Sequence, residues 1–293
     1  MELQTCDTRG SNESPLKRPL GNKLLPYTAD GYRTVSREIS LWARSFPSLG
    51  FYARLIVLLW KCSSLAKRSR YDDEAWGRSS LAVLHALENV GVKVEITGAE
   101  HLQRLNTPCV VIGNHMSLLE TLVLPCIIQP EMKVTFVVKE SLLRYPVFRH
   151  VMRSRNPIAV SRNNARQDFR TVLEDGMERL AQGVSIIVFP QTTRTLSFEP
   201  AQFNTMGVKL AQKAGVPVVP LALLTHAWEN GRYFKDLGKI NPSERVRFAF
   251  GEPLPVRGRG TDEHQAILRF IQTKLNEWGL ERDSWQTGKP SGK

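Results

Sequence analysis

Short apolar runs alternate with segments of helical period from residue 92 to residue 224, and this alternation constrains the fold more than any other feature of the chain. The runs VKVEIT, PCVVIG, KVTFVV, PIAV, SIIVFP and VPVVPLALL are short and rich in β-branched residues, so they read as strands. Between them apolar residues recur at three- and four-residue steps, most clearly over residues 164–182, where Phe169, Val172, Leu173, Met177 and Leu180 form one stripe. Strands separated by helices build an α/β fold with a mixed, largely parallel sheet flanked by helices, because parallel neighbours need crossover connections. RVRFAFGEPLPV adds a late strand and turn, and Ile267, Leu268, Ile271 and Leu275 mark a closing helix over residues 262–278.

Ahead of this region the pattern changes. Residues 1–36 mix Pro, Gly, Ser, Asn and charge without periodicity and read as a disordered tail. Residues 37–90 read as an N-terminal amphipathic helical element that binds a membrane surface. In it Tyr52, Leu55, Ile56 and Leu59 follow helical spacing, Phe51 and Trp60 add apolar bulk, and Arg54, Lys61 and Arg68 recur every seven residues along another side. An ordinary surface helix packed on its own domain has the same pattern and is the competing reading. The acidic start of YDDEAW opens a second helix that ends before Gly91. Residues 91–280 then form the α/β domain, and residues 281–293 a frayed tail.

The formal charge of +12 on 293 residues calls for an anionic partner: nucleic acid, an anionic lipid surface or a phosphorylated small molecule. No module interleaves basic and aromatic residues as nucleic-acid binders do, so nucleic acid is excluded from the expected partners. Cys6, Cys62, Cys109 and Cys126 show no C-x-x-C pairing, which favours a reducing, cytoplasmic setting and gives no metal site. The N-terminus lacks the basic-then-apolar order of a secretory signal. No run reaches the roughly 18 uninterrupted apolar residues of a spanning helix.

The stretch VVIGNHMSLLETLVLP places His115 between an apolar strand and a helix, with Glu120 five residues on. Inside one helix these two would lie about 140° apart and could not meet. They meet if His115 precedes the helix. Ser117 and Glu120 are themselves spaced as a capping box, in which Ser caps the first turn and Glu bonds back to the capping residue's N–H. The cap fixes the helix start just after His115 and leaves the imidazole on a loop at a strand's carboxyl end, where open α/β sheets build their sites. Read as a cap alone, Glu120 tolerates glutamine without loss of stability.

Further on come NPIAVSR ending in Arg162, FPQTTRT containing Arg194, and VPVVPLA with Pro217 and Pro220. With NHMSLLE these runs resemble, in order, the four blocks of the glycerolipid acyltransferase family, similar to 1-acyl-sn-glycerol-3-phosphate acyltransferase. Glu120 stands where the family has an aspartate and Asn156 where it has glycine. Gln191 and Thr192 replace the glutamate and glycine of F-P-E-G-T-R-S, while Phe189, Pro190, Thr193 and Arg194 match and Thr195 replaces its serine.

The resemblance implies direct attack by an acceptor hydroxyl on an acyl thioester, with no protein nucleophile and no cofactor beyond the donor, acyl-CoA or acyl-ACP (acyl carrier protein). His115 is then the general base, Glu120 the acid that orients it, and Ser117 a cap. Arg162, Gln191, Thr193 and Arg194 are the expected substrate-binding residues, the arginines offering planar forks to phosphate. Uncharged Gln191 keeps an amide for a substrate hydroxyl and repels an anionic head group less than glutamate. The expected partners are a lysophospholipid acceptor and a phospholipid surface, and the expected place is the cytoplasmic face of a membrane, peripheral or monotopic. The competing functions are transfer to glycerol-3-phosphate or another lyso-lipid, and a non-catalytic lipid-binding protein on the same fold.

Overall fold

The computed structural model describes residues 24–35, 38–191, 193–232 and 235–279. Its centre is an eight-stranded mixed sheet of order β1-β2-β8-β7-β3-β6-β4-β5. The strands are β1 (Tyr32–Arg33), β2 (Lys93–Thr97), β3 (Val110–Gly113), β4 (Val134–Lys139), β5 (Ile158–Val160), β6 (Ser185–Val188), β7 (Val218–Leu224) and β8 (Arg245–Phe250). The five strands β7, β3, β6, β4 and β5 run parallel, β8 is antiparallel to β7, and β1 is antiparallel to β2. Every residue of β3, β6 and β7 is buried, as strands covered on both faces must be.

The helices are α1 (Leu41–Ser45), α2 (Pro47–Lys67), α3 (Asp73–Glu88), α4 (Glu100–Gln103), α5 (Leu119–Ile128), α6 (Phe148–Ser154), α7 (Ala165–Ala181), α8 (Met206–Ala214) and α9 (Thr261–Glu277). Because side chains alternate along a strand, the sheet feeds two cores. Val111, Ile187, Val219 and Leu221 point into one with Leu84 and Leu87 of α3 and Val123 of α5. Val110, Ile112, Ile186 and Val218 point into the other with Val172 of α7, Leu210 of α8 and Ile267 and Ile271 of α9.

Helix α5, which carries Glu120, contains Pro125, whose missing N–H breaks the helical ladder. Ser80 of α3 inserts at this point, its hydroxyl accepting from Cys126 N (2.9 Å) and donating to Leu122 O (2.7 Å). The interrupted step of the ladder is thereby bridged, and α5 is fastened to α3.

Two expectations need correction. Residues 24–35 are part of the fold and not tail: Leu25 and Tyr32 are buried, β1 pairs with β2, and the Tyr32 hydroxyl donates to Glu88 Oε1 (2.6 Å). A two-residue strand with isolated apolar anchors leaves no periodicity to read. Residues 1–23, 36 and 281–293 of the expected tails lie outside the described residues.

The second correction concerns α2. Phe51, Leu55 and Cys62 face inward, with Tyr52 half-buried beside them, whereas Ile56 is 53% exposed in company with Leu49, Val57 and Trp60. Nearly every position from Phe51 to Trp60 is apolar, so period alone does not tell which stripe the domain takes. By length and composition α2 could cross a membrane. Here one side of it packs on the domain, with Phe51 edge-on to Trp228 at 4.9 Å, and the other presents an uncovered apolar surface.

Candidate active site

The parallel strands end on one edge of the sheet, and the residues singled out by sequence collect there. His115 follows β3, Arg162 follows β5, and Gln191, Thr193 and Arg194 follow β6. His115, Arg162, Gln191, Thr193 and Arg194 line one open cleft of about 450 Å³, together with Lys139, Asp168, Phe189, Lys235 and Asp236. The volume lies within the range of small-ligand sites.

The histidine and the glutamate meet as the spacing requires. His115 Nδ1 lies 2.9 Å from Glu120 Oε1, which makes Nδ1 the donor and leaves Nε2 toward the cleft. Phe189 stacks on the imidazole with ring centroids 4.6 Å apart and planes within 4°. Ring plane and tautomer are both set before any ligand arrives.

Glu120 is fully buried, and its oxygens are filled by donors from three elements. Oε1 also accepts from Met116 N (2.7 Å) and Ser117 N (3.0 Å), and Oε2 accepts from the hydroxyls of Ser117 (2.9 Å) and Thr225 (2.8 Å). Half of the capping box is therefore present as read, Glu120 bonding back to Ser117 N–H. The serine half is shifted: Ser117 Oγ accepts from Leu119 N (3.1 Å). Burial pushes the Glu120 carboxyl up, but the bond and charge of His115 and the N–H of Ser117 outweigh it, and the group ends below its ordinary value of 4.5.

Gln191 departs from its expected role. Its Oε1 accepts from His115 N (2.6 Å), and its Nε2 donates to Thr195 Oγ1 (2.9 Å), whose own proton goes to Ser197 O (2.7 Å). Both ends of the amide are thus occupied in bracing the His115 loop, which Thr195 N also grips through His115 O (3.1 Å). A glutamate here would accept from His115 N but could not donate to Thr195. Thr193 is exposed in the cleft wall, its hydroxyl turned to Arg194 O (3.4 Å).

Arg162 has φ of +63°, a left-handed conformation that a non-glycine residue holds only under constraint. Asp168 in the first turn of α7 supplies it, accepting from Arg162 N (2.8 Å), Ser161 N (2.8 Å) and Ser161 Oγ (3.0 Å). Burial and the nearby charge of Arg194 both push the Arg162 guanidinium down, Asp168 opposing them, so two cations face the same space. Asn156, at φ +45°, explains itself: asparagine is, after glycine, the residue most at ease there.

Arg194 points its Nε at His115 Nε2 (3.4 Å) and its NH1 at Asp236 Oδ1 (2.6 Å). Asp236 and Asp168 were not anticipated, nor were two anchors of the site on β7. Thr225 follows the strand and bonds Glu120. Asn114 bonds both Leu223 O (2.9 Å) and Leu223 N (2.8 Å), holding the chain just before His115 against β7. The run VPVVPLALLT carries the only hint, an apolar strand ending in a hydroxyl.

Residues 93–224, a little under half of the chain, match the family model described as Acyltransferase. Among its relatives is the 1-acyl-sn-glycerol-3-phosphate acyltransferase of Pseudomonas aeruginosa, 26% identical over 235 residues, which cover 80% of this chain and 84% of that one. The probable 1-acyl-sn-glycerol-3-phosphate acyltransferase of Mycoplasma pneumoniae is 32% identical over 56% of this chain and 62% of its own length. The chloroplastic BAT2 enzyme of Brassica napus, with the same activity in its name, is 31% identical over 45% of this chain, a match to only 37% of its length. The crystal structure of the PlsC acyltransferase from Thermotoga maritima superposes with a TM-score of 0.57 at 21% identity, over 84% of this chain and 96% of that one. It shares the fold.

Two predictions follow from the hydrogen-bond geometry. Glu120→Gln turns an amide NH₂ toward groups that all donate, so in contrast to a mere cap it should lose about 1–3 kcal/mol of stability at neutral pH. Because the folded Glu120 carboxyl lies below 4.5, its contribution is complete above about that pH and fades as pH falls through the folded value. Denaturant melts from pH 6 to pH 3 should show wild type and Glu120→Gln converging at the acid end, and a constant gap would refute the assignment. Gln191→Glu should cost about 1 kcal/mol through the lost Thr195 bond, and Gln191→Glu combined with Thr195→Val should cost no more than Thr195→Val alone.

Proposed function

We propose that the protein transfers a fatty acyl group from a thioester, acyl-CoA or acyl carrier protein, to the free hydroxyl of 1-acyl-sn-glycerol-3-phosphate, giving phosphatidic acid. The observation that carries this reading is the juxtaposition of the His115–Glu120 pair with Arg194 in the cleft that Arg162 also lines. His115 Nε2 takes the acceptor's hydroxyl proton as the oxygen attacks the thioester carbonyl. The C–S bond then breaks, and the imidazolium returns the proton to the thiolate. Glu120, held ionised, stabilises the imidazolium while it exists. Nothing beyond the donor is needed as cofactor.

Arg162 and Arg194 suit a phosphate at the acceptor's head, with Lys139 and Lys235 adding charge at the rim. Gln191 and Thr193 contribute as walls of the cleft, Gln191 chiefly through the His115 backbone.

The uncovered side of α2, with Leu49, Ile56, Val57 and Trp60, continues into Leu41, Trp42 and Phe46 of the α1 region. With Arg44, Arg54, Lys61, Lys67 and Arg68 around it, this surface suits the head-group level of an anionic bilayer, and we place it on the cytoplasmic face of a membrane. A monotopic mode is favoured over a spanning one because leaving the domain would expose Phe51 and Leu55.

His115→Ala should lower transfer to lysophosphatidate by about 10²–10⁴-fold while the melting temperature stays close to wild type, and near-normal turnover would remove His115 from the mechanism. Arg194→Ala should reduce kcat/KM for a phosphorylated acceptor by roughly tenfold or more, equivalent to about 1.5–3 kcal/mol, and should spare an uncharged one such as monoacylglycerol. Ile56→Glu with Trp60→Glu should abolish flotation with phosphatidylglycerol vesicles while leaving the fold intact. Wild-type flotation should weaken as salt rises. Undiminished flotation of the double variant would place the membrane surface elsewhere.

A further inference from the structure

We propose that Asp236 is a positioning residue that holds Arg194 over the proton-accepting nitrogen of His115, so that the base is covered until a phosphate head group draws the arginine away. The proposal rests on the acyl-transfer reading above and adds to it a residue outside the four sequence blocks. With Nδ1 committed to Glu120, Nε2 carries the one lone pair the imidazole can use, and Arg194 Nε–H points at it from 3.4 Å. The opposite corner of the same guanidinium is tied to Asp236 at 2.6 Å. Both side chains are largely shielded, Arg194 15% and Asp236 25% exposed, so this is not a loose surface pair.

Asp236 is placed by a fastened loop. Between β7 and β8, Glu229 N bonds Lys239 O (3.0 Å), and Gly238 passes so close that a Cβ would lie 1.7 Å from Glu229 O. Helix α2 grips the same loop: Tyr52 OH donates to Gly238 O (2.6 Å), Ile240 N donates to Ser48 Oγ (3.0 Å), and Trp228 packs edge-on against Phe51 and Tyr52. The loop is thus anchored on α2 beside Asp236, while Arg194 carries the longer and more flexible side chain of the pair.

With Nε–H given to His115 and one NH1 proton to Asp236, the guanidinium keeps only its NH1–NH2 end free, so a phosphate that takes the Nε–NH2 edge as a fork must displace the His115 contact. A phosphate monoester carries about −1.5 to −2 charges at pH 7 against one on Asp236, and Arg162 faces the same space. The monoester therefore wins Arg194 and exposes Nε2 just as the acceptor hydroxyl arrives. A neutral head group cannot do so. Without an acceptor, Nε2 stays covered, and water is not activated to attack the bound thioester, a reaction in which a C–O bond forms, the C–S bond breaks and the proton passes through His115 to the thiolate.

The test follows hydrolysis of palmitoyl-CoA without acceptor, and transfer to 1-oleoyl-lysophosphatidate, in wild type, Asp236→Asn and Asp236→Glu. Asp236→Asn should raise acceptor-free hydrolysis on the order of tenfold, the scale of one lost charge-assisted contact, with the KM for lysophosphatidate unchanged or lower. Asp236→Glu keeps the charge near Arg194 and should keep hydrolysis near wild type. Unchanged hydrolysis in Asp236→Asn, or a raised KM without added hydrolysis, overturns the proposal. Absence of wild-type transfer to lysophosphatidate would instead overturn the acceptor assignment, and the hydrolysis comparison would still decide the role of Asp236.

Discussion

Removing a carboxylate from water is unfavourable by several kcal/mol unless its lone pairs are filled, and the arrangement around Glu120 is organised by that requirement. Its two oxygens accept from His115, Met116, Ser117 and Thr225, so one buried charge ties together the end of β3, the start of α5 and the end of β7. A glutamate suits this task better than a shorter acid because it reaches back from the helix to the turn before it. The same bonds that make the charge tolerable aim the imidazole, so stability and the proposed chemistry draw on one network.

Around that network the loops are braced in pairs. Gln191 and Thr195 hold the backbone of His115, and Asn114 holds the preceding residue to β7. Asp168 clamps the strained turn at Arg162 from the first turn of the helix that follows it. Each of these braces acts on backbone. Gln191 shows the consequence: a residue that looks like a substrate contact in sequence is a support once Thr195 has committed its proton to Ser197.

What the sequence makes legible is what depends on local order. The strand and helix succession follows from short-range periodicity, and the meeting of His115 with Glu120 follows from a five-residue spacing that demands a turn between them. Arg162 and Arg194 can be assigned to the carboxyl edge because each follows a strand. Thr225 and Asp236 reach the site across 105 and 42 residues from their partners, and no local pattern carries such distances. Helix α2 fails in another way: almost every position is apolar, so the stripe that faces the domain is chosen by what it packs against, Trp228 and α6, and not by its own period. Leu25 and Tyr32 are missed because two isolated anchors in a polar stretch leave no signature.

Charge in the cleft is more balanced than the chain's overall +12 implies. Lys139, Arg162, Arg194 and Lys235 face it, but Asp236 and Asp168 sit among them, so an arriving anion exchanges partners with a carboxylate already in place. Such an exchange selects for charge density as well as sign, and it puts the choice at the residue nearest His115. The loop that carries Asp236 is also the loop that α2 grips through Ser48 and Tyr52. Burial raises the Tyr52 hydroxyl to about 12, so it remains a neutral donor to Gly238 throughout the physiological range. The helix proposed to rest on lipid is thus bonded directly to the loop whose carboxylate is proposed to hold Arg194.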